Sequence, residues 1–399
     1  SNAALISGDL EDAAQLFEHV VIYSQAHDIL TGYLHALSDL ARIRKYQARL
    51  EDAQQIYRQG LDFAERENVH IGAKADAQTG LMQIALERND LTAAGAWAAA
   101  IPAFIDAMER SGMPWGPMIK AICRYVEYCL TLGDNASAHF YFRYTAHYAG
   151  QQTDANPDLL PEFIAVQTRL WIMDGQLAQG IRQLQGRIRT LQSEQLTCLA
   201  EKIALARLFL AAQDYPAARS LLEACAAEAA QRRMIERQME VSILQAIAQW
   251  NSPHPAGALP AFEQAVRLAE ANDYLRIFLN EGAALEPVLA LALAQPETAA
   301  SPAFLERLQS AFAAEKQRAA APAAGQAGPP PAPPAEALSD REIEMLSVLA
   351  QGKTVKEAAI ALSISANTAR AHLRNIYRKL NAHNRKSALK RAEELKLVR

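Results

Sequence analysis

An eight-residue signature occurs seven times in the first 318 residues, and it restricts the fold more than any other property of the chain. LEDAAQLF at 10–17 recurs as LEDAQQIY at 50–57. Fainter echoes are LTAAGAWA at 91–98, NASAHFYF at 135–142, LAQGIRQL at 177–184, YPAARSLL at 215–222 and PAGALPAF at 255–262. Successive steps are 40, 41, 44, 42, 38 and 40 residues. The fourth place is always small (Ala13, Ala53, Ala94, Ala138, Gly180, Ala218, Ala258), which lets two helices approach closely. Before the signature stand Gly8-Asp9, Asn89-Asp90, Gly133-Asp134, Asp174-Gly175 and Gln213-Asp214, residues that turn a chain and cap a helix. Each unit therefore reads as helix, tight turn, helix. One helical pair cannot bury its apolar face alone, so about seven units must stack into a solenoid. Half of the chain is apolar, and glycine and strand-forming runs are scarce, so the predicted class is all-α.

Turn, small residue and aromatic at these offsets resemble the tetratricopeptide repeat. The usual period there is nearer 34 residues, so units of about 40 imply longer helices and leave HEAT-like stacking as an alternative. In tetratricopeptide solenoids the helix before the turn lines the concave side. The resemblance then places His35, Ser38, Arg42, Lys45 and Tyr46 on that surface, followed by Asp76, Thr79, Gln83 and Glu87. Later units add Lys120, Glu127, Glu162, Arg169, Arg207 and Glu240. His35, Arg42, Gln83, Glu127, Arg169 and Arg207 are the candidate effector ligands. The surface is polar and mixed in charge, suited to a small-molecule inducer or a regulatory protein segment.

Other chemistry finds little support. Cys123, Cys129, Cys198 and Cys225 form no CxxC pair and lie in apolar helical context, so they read as core residues of a reduced, cytoplasmic protein. The nine histidines have no metal-ligand spacing, so no metal is expected, and no cofactor either. There is no run of 18 uncharged apolar residues, so no membrane span is expected. Nucleophile–base pairs and phosphate loops are missing too, so the chain reads as a non-enzyme. GKT at 352–354 mimics the end of a phosphate loop, but Ser347 stands where that loop needs glycine.

Residues 319–337, AAAPAAGQAGPPPAPPAEA, hold six prolines, two glycines and one charge. Such a segment cannot build a core and reads as an extended tether, spanning up to roughly 60 Å at about 3.1 Å per residue. The predicted boundaries are a tag scar at 1–3, a solenoid at 4–318, the linker at 319–337 and a small domain at 338–399.

Charge divides along that linker. Residues 338–399 hold 13 Lys+Arg and 6 Asp+Glu, net +7, whereas 1–337 hold 27 and 38, net −11. A basic end on an acidic body points to duplex DNA as a partner of the end alone. Four short helices can be laid out there. Ser339 and Glu342 form a capping box for the first, which Gly352 ends. The second runs from Thr354, with Glu357 three residues on, to about Leu362. After the turn Ser363-Ile364-Ser365 the third spans 366–380, and the fourth runs from about Arg385 to Leu395. A short helix, a three-residue turn and a longer basic helix make a helix-turn-helix. In the third helix Ala369, Leu373, Ile376 and Leu380 form an apolar stripe, and Arg370, Arg374 and Arg378 a cationic one.

The segment is similar to the LuxR-type DNA-binding domain. The likeness rests on Leu338-Ser339, Arg341-Glu342, Gly352, Lys356-Glu357, Ile364-Ser365, Asn367-Thr368, His372-Leu373, Asn375-Ile376-Tyr377, Lys379-Leu380 and Asn384-Arg385. Ala369, Ala358 and Asn381 replace the usual valine, isoleucine and glycine. The likeness implies that Arg370, Ala371 and Arg374 face base edges in the major groove, near Asn367. Lys353, Lys356, Thr368, Arg378, Arg385 and Lys386 become candidates for phosphate contact.

Solenoid plus LuxR-type module resembles the C-terminal part of the large ATP-binding LuxR regulators, the family of the maltose-regulon activator. That resemblance implies a transcriptional activator whose solenoid receives an inducer and which self-associates on DNA. It also implies an ATPase region ahead of residue 4. The alternative is an interaction scaffold that its DNA module merely localises.

Overall fold

A computed structural model of the chain describes residues 10–67, 71–105, 115–149, 160–193, 198–253, 255–295, 297–320 and 340–362, and then 364, 369, 372–373, 376–377, 380, 382 and 385–394. It divides into two compact units, residues 1–324 and 325–399. No strand occurs among the described residues.

The first unit is a ladder of antiparallel helices: α1 (Leu10–Ala26), α2 (Leu30–Tyr46), α3 (Leu50–Arg66), α4 (Ile71–Glu87), α5 (Leu91–Ala98), α6 (Trp115–Leu132), α7 (Asn135–Ala149), α8 (Leu160–Met173), α9 (Leu177–Ser193), α10 (Leu199–Ala211), α11 (Tyr215–Gln231), α12 (Ile235–Trp250) and α13 (Ala258–Glu270). The seven signature segments supply α1, α3, α5, α7, α9, α11 and α13. Ala13, Ala53, Ala94, Ala138, Ala218 and Ala258 are fully buried, as the repeat predicts. Gly180 holds the remaining place, and it is too tight for a side chain. A Cβ there would stand 2.7 Å from Trp171 Cε3 and 2.9 Å from Leu208 Cδ1.

One turn geometry joins many of these helices. A residue at positive φ follows the helix, and the next backbone N–H reaches back across the last turn. Asn89 has φ 59°, and Asp90 N donates to Ala85 O at 2.9 Å. Gly133, Gly175 and Gln213 hold the same place, and Asp134, Gln176 and Asp214 donate in the same way. Asp90, Asp134 and Asp214 then cap the following helix by accepting from Ala93 N, Ser137 N and Ala217 N. The paired turn residues of the sequence thus stop one helix and start the next. Gly8-Asp9 lies outside the described residues.

After α13 the repeat gives way to α14 (Arg276–Leu279), α15 (Glu286–Ala294) and α16 (Pro302–Ala320). This stretch closes the superhelix on itself. Leu275 N donates to Glu87 O at 2.8 Å, and the Tyr274 hydroxyl donates to Lys45 O at 3.1 Å. Arg276 reaches Asn89 and Glu315. One core results, joining Leu50, Tyr57 and Ile84 of the early repeats to Phe262, Tyr274, Phe278 and Phe304. Each such aromatic, fully buried, contributes about 1.5–3 kcal/mol. α16 runs through Ala320, two residues into the segment read as a tether. Alanine sustains a helix, and the first proline is Pro322. The rest of that tether lies outside the described residues.

The four cysteines are free and buried, as expected of core residues. Burial pushes the Cys129 and Cys225 thiols up to about 12, which leaves them inert. No described helix is long and apolar enough to cross a membrane.

In the second unit, α17 (Asp340–Ala350), α18 (Val355–Ala361) and α19 (Arg385–Glu394) pack around Met345, Leu346, Leu349, Ala358, Ala388 and Ala392. Gly352, at φ 87°, ends α17. Thr354 and Glu357 form the predicted capping box on α18. The Ser339 cap lies outside the described residues.

Candidate effector cavity and DNA-binding module

α2, α4, α6, α8, α10 and α12 face inward around a cavity of about 700 Å³. They contribute Arg42, Lys45 and Tyr46; Gln83 and Glu87; Arg124, Glu127 and Leu130; Glu162, Thr168, Arg169, Ile172 and Met173; Ile203 and Arg207; and Glu236, Arg237, Glu240 and Trp250. Among the described residues of the signature helices, only Tyr215 of α11 reaches the lining. The closing segment adds Ile277, Asn280 and Glu281. Arg42, Gln83, Glu127, Arg169 and Arg207 are thus brought together. His35 is not. It is exposed, seven residues before Arg42, which is about 10 Å along the helix, and α2 meets the cavity only at its C-terminal end. Arg124, Glu236 and Arg237 were missed by the sequence reading. A helical step from Lys120, Glu127 and Glu240 would have found them.

Most of the lining charges neutralise one another. Lys45 Nζ lies 2.7 Å from Glu236 Oε1 and 3.3 Å from Glu87 Oε1. Arg207 pairs with Glu240 and, at 2.6 Å, with Glu281; Arg237 meets Glu240 at 2.6 Å. Arg124 donates to the Thr79 hydroxyl at 3.0 Å, and Arg42 to Asp39 at 2.8 Å. Burial opposes ionisation of Glu240, but Arg237 and Arg207 outweigh it and hold the carboxyl down at about 2. Glu87 goes the other way. Burial, reinforced by Glu236 and only partly offset by Lys45, pushes it up to about 7.

Two neighbouring groups on α8 stand apart. Arg169 makes no hydrogen bond and no ion pair with any described residue, and burial, with Arg207 and Arg276 nearby, lowers its affinity for its proton. Thr168 is buried and its hydroxyl has no hydrogen-bond partner. Glu127, the acid that acts most on Arg169, is itself pushed up by burial.

In the second unit Ala369, Ile376 and Leu380 are buried, and Leu373 packs against them, so the predicted apolar stripe of the third helix faces the core. Lys353 and Lys356 are exposed around the α18 cap. Arg385 is half-buried and donates to Leu349 O at 2.6 Å, bridging α19 to the end of α17. Asn367, Thr368, Arg370, Ala371, Arg374 and Arg378 lie outside the described residues, as does the side chain of Lys386.

Comparison with known proteins agrees with this architecture. Residues 1–295 match the family model "MalT-like TPR region", and residues 336–392 match "Bacterial regulatory proteins, luxR family". The nitrate/nitrite response regulator protein NarP of Escherichia coli is 44% identical over 55 residues, covering 14% of this chain and 26% of that protein. The HTH-type transcriptional regulator MalT of Vibrio cholerae is 38% identical over 58 residues, 14% of this chain and 6% of that protein. The HTH-type transcriptional activator RamA of Corynebacterium glutamicum is 41% identical over 58 residues, 14% of this chain and 21% of that protein. The chain thus matches about a quarter or less of the length of these relatives. The first match spans well over half of the chain and the second its C-terminal module: the chain belongs to the MalT-like tetratricopeptide family and carries a LuxR-family DNA-binding domain.

Proposed function

We propose that the protein is a transcriptional regulator, acting as an activator, whose solenoid takes a small-molecule effector in its central cavity and whose C-terminal module reads duplex DNA. The observation that carries the reading is the closure of the superhelix around an ion-lined space of about 700 Å³ in a chain with a LuxR-type module. That volume suits a small ligand, which the charged and apolar side chains of the lining can hold from several helices at once.

In this reading residues 4–318 sense, 319–337 tether and 338–399 bind. Arg370, Ala371 and Arg374 meet base edges, with Asn367 beside them. Lys353, Lys356, Thr368, Arg378 and Lys386 hold phosphates. Arg385 divides its donors between Leu349 O and the DNA backbone. An effector bridging α2, α8 and α12 changes the closure of the ring and so the self-association of the chain. Two tethered modules brought together gain affinity through effective concentration. Families of this kind are regulatory, and the proposal includes no catalytic step.

The test is DNA binding by the full chain, followed by anisotropy with and without candidate metabolites, beside a Trp250→Ala variant. The reading expects a metabolite that shifts the DNA isotherm of the native chain and leaves the variant unmoved. If no metabolite acts while a protein partner both binds the solenoid and shifts the isotherm, the scaffold reading replaces it.

A further inference from the structure

The chemistry of the cavity selects among effectors, and this step rests on the effector reading above. α6, α8 and α12 all run in one direction, because an even number of chain reversals separates each from the next, two and then four. On each of them the last lining residues are apolar and follow titratable ones: Leu130 after Glu127, Ile172 and Met173 after Arg169, Ile247 and Trp250 after Glu240. Ile172, Met173, Ile247 and Trp250, with Tyr215, thus give the otherwise charged lining an apolar part. Arg169 stands one helical turn from Ile172 and Met173.

Arg169 is also the lining cation that the protein leaves unsatisfied. It is half-buried, lines the cavity and has no ion pair with a described residue, and the adjacent Thr168 hydroxyl is buried without a hydrogen-bond partner. Burying such a cation is costly, and a guanidinium cannot escape the cost by losing its proton near neutral pH. A carboxyl can take one up, so Glu127 needs no cationic guest, whereas Arg169 needs an anionic one. Lys45, Arg42, Arg124, Arg207 and Arg237 are already engaged by carboxylates. A dianionic phosphate would face several glutamates with one free guanidinium, so a monoanion fits better.

We propose that the effector is a small organic monocarboxylate with an apolar body, its carboxylate on the Arg169 guanidinium and the Thr168 hydroxyl and its body toward Ile172, Met173, Tyr215 and Trp250. A planar guanidinium gives a carboxylate two parallel N–H donors. The apolar part of the lining then excludes water from the body of the ligand.

The test uses the full chain and matched probes: phenylacetate, indole-3-acetate and octanoate, each against its uncharged amide, measured by calorimetry and thermal unfolding. At least one acid binds and raises the melting temperature, and its amide binds about ten- to a hundredfold more weakly. Arg169→Leu loses the acid preference, Arg169→Lys keeps part of it, and Thr168→Val weakens it. Without ligand, Arg169→Leu melts close to or above the native temperature, because no ion pair is lost with the half-buried charge. Equal binding of acid and amide, native-like acid binding by Arg169→Leu, or a clear drop in its ligand-free melting temperature overturns the assignment. If uncharged sugars bind in a Trp250→Ala-sensitive way and the acids do not, the ligand class fails while the effector reading stands. If acids, amides and sugars all fail to bind, both fall.

Discussion

The ammonium of Lys45 lies 2.7 Å from Glu236 Oε1, across 191 residues of sequence, and this contact fastens the first turn of the superhelix to its last. Glu87 stands on the other side of the same ammonium at 3.3 Å. Replacing Lys45 with alanine leaves two buried carboxylates facing each other, and about 3–5 kcal/mol of stability goes with it. Urea unfolding measures the loss. The double replacement Lys45→Met with Glu236→Leu recovers most of it, since well-packed apolar groups substitute for a buried pair.

Opposite shifts at Glu87 and Glu240 give stability two pH arms. The folded chain holds the Glu87 proton more tightly than the unfolded chain does. Its contribution is full below the ordinary value of 4.5 and is lost as pH rises through about 7. Glu240 is the reverse: its contribution, at most about 3 kcal/mol, is present above the ordinary range and is lost as pH falls through about 2. Melting temperatures across pH should therefore decline on the alkaline side in the native chain but not in Glu87→Gln. Glu240→Gln should be less stable than the native chain at neutral pH.

Helix contact at the small fourth place sets a packing limit. Gly180→Ala drives a methyl to 2.7 Å from Trp171, and Ala218→Leu inserts three carbons into a fully buried site. Each should cost about 1–3 kcal/mol by denaturant titration. Gln213→Gly should do the opposite. Gln213 sits exposed at φ 61°, and relieving that strain outweighs the added chain entropy by about 0.5–1 kcal/mol.

The repeat made the ladder legible because each unit solves the same local problem: stop a helix, turn, cap the next, and bury a small residue. Asn89-Asp90 and Gly133-Asp134 carry that solution in two letters. Closure was not legible. Tyr274 and Arg276 follow the last signature, and what they touch, Lys45 and Asn89, shares no period with them. The cavity was half legible. A helical stripe through Gln83, Glu127 and Arg169 can be read from phase alone. Whether His35 joins it depends on the pitch of the superhelix, which closure fixes. In the DNA module the capping box at Thr354 and the stripe of Ala369, Ile376 and Leu380 were plain in sequence. The use of Arg385 on Leu349 O was not, because a long cationic side chain carries no local sign of its partner.

Within the DNA module the contacts should separate by kind. Arg374→Ala should relax sequence preference at a cost of about 1–3 kcal/mol, whereas Lys386→Ala should weaken all duplexes alike. Competition between a selected operator and scrambled duplexes distinguishes the two effects.

The central claim, that a basic tail on an acidic solenoid binds duplex DNA, is tested most directly by the salt dependence of that binding in the full chain. Anisotropy titrations between about 50 and 200 mM salt should give log Kobs falling linearly with log salt, with a slope of about −4.5 for five phosphate-contacting cations. Lys356→Ala should reduce that slope by about one. Association that is absent, or that does not respond to salt, would contradict the account.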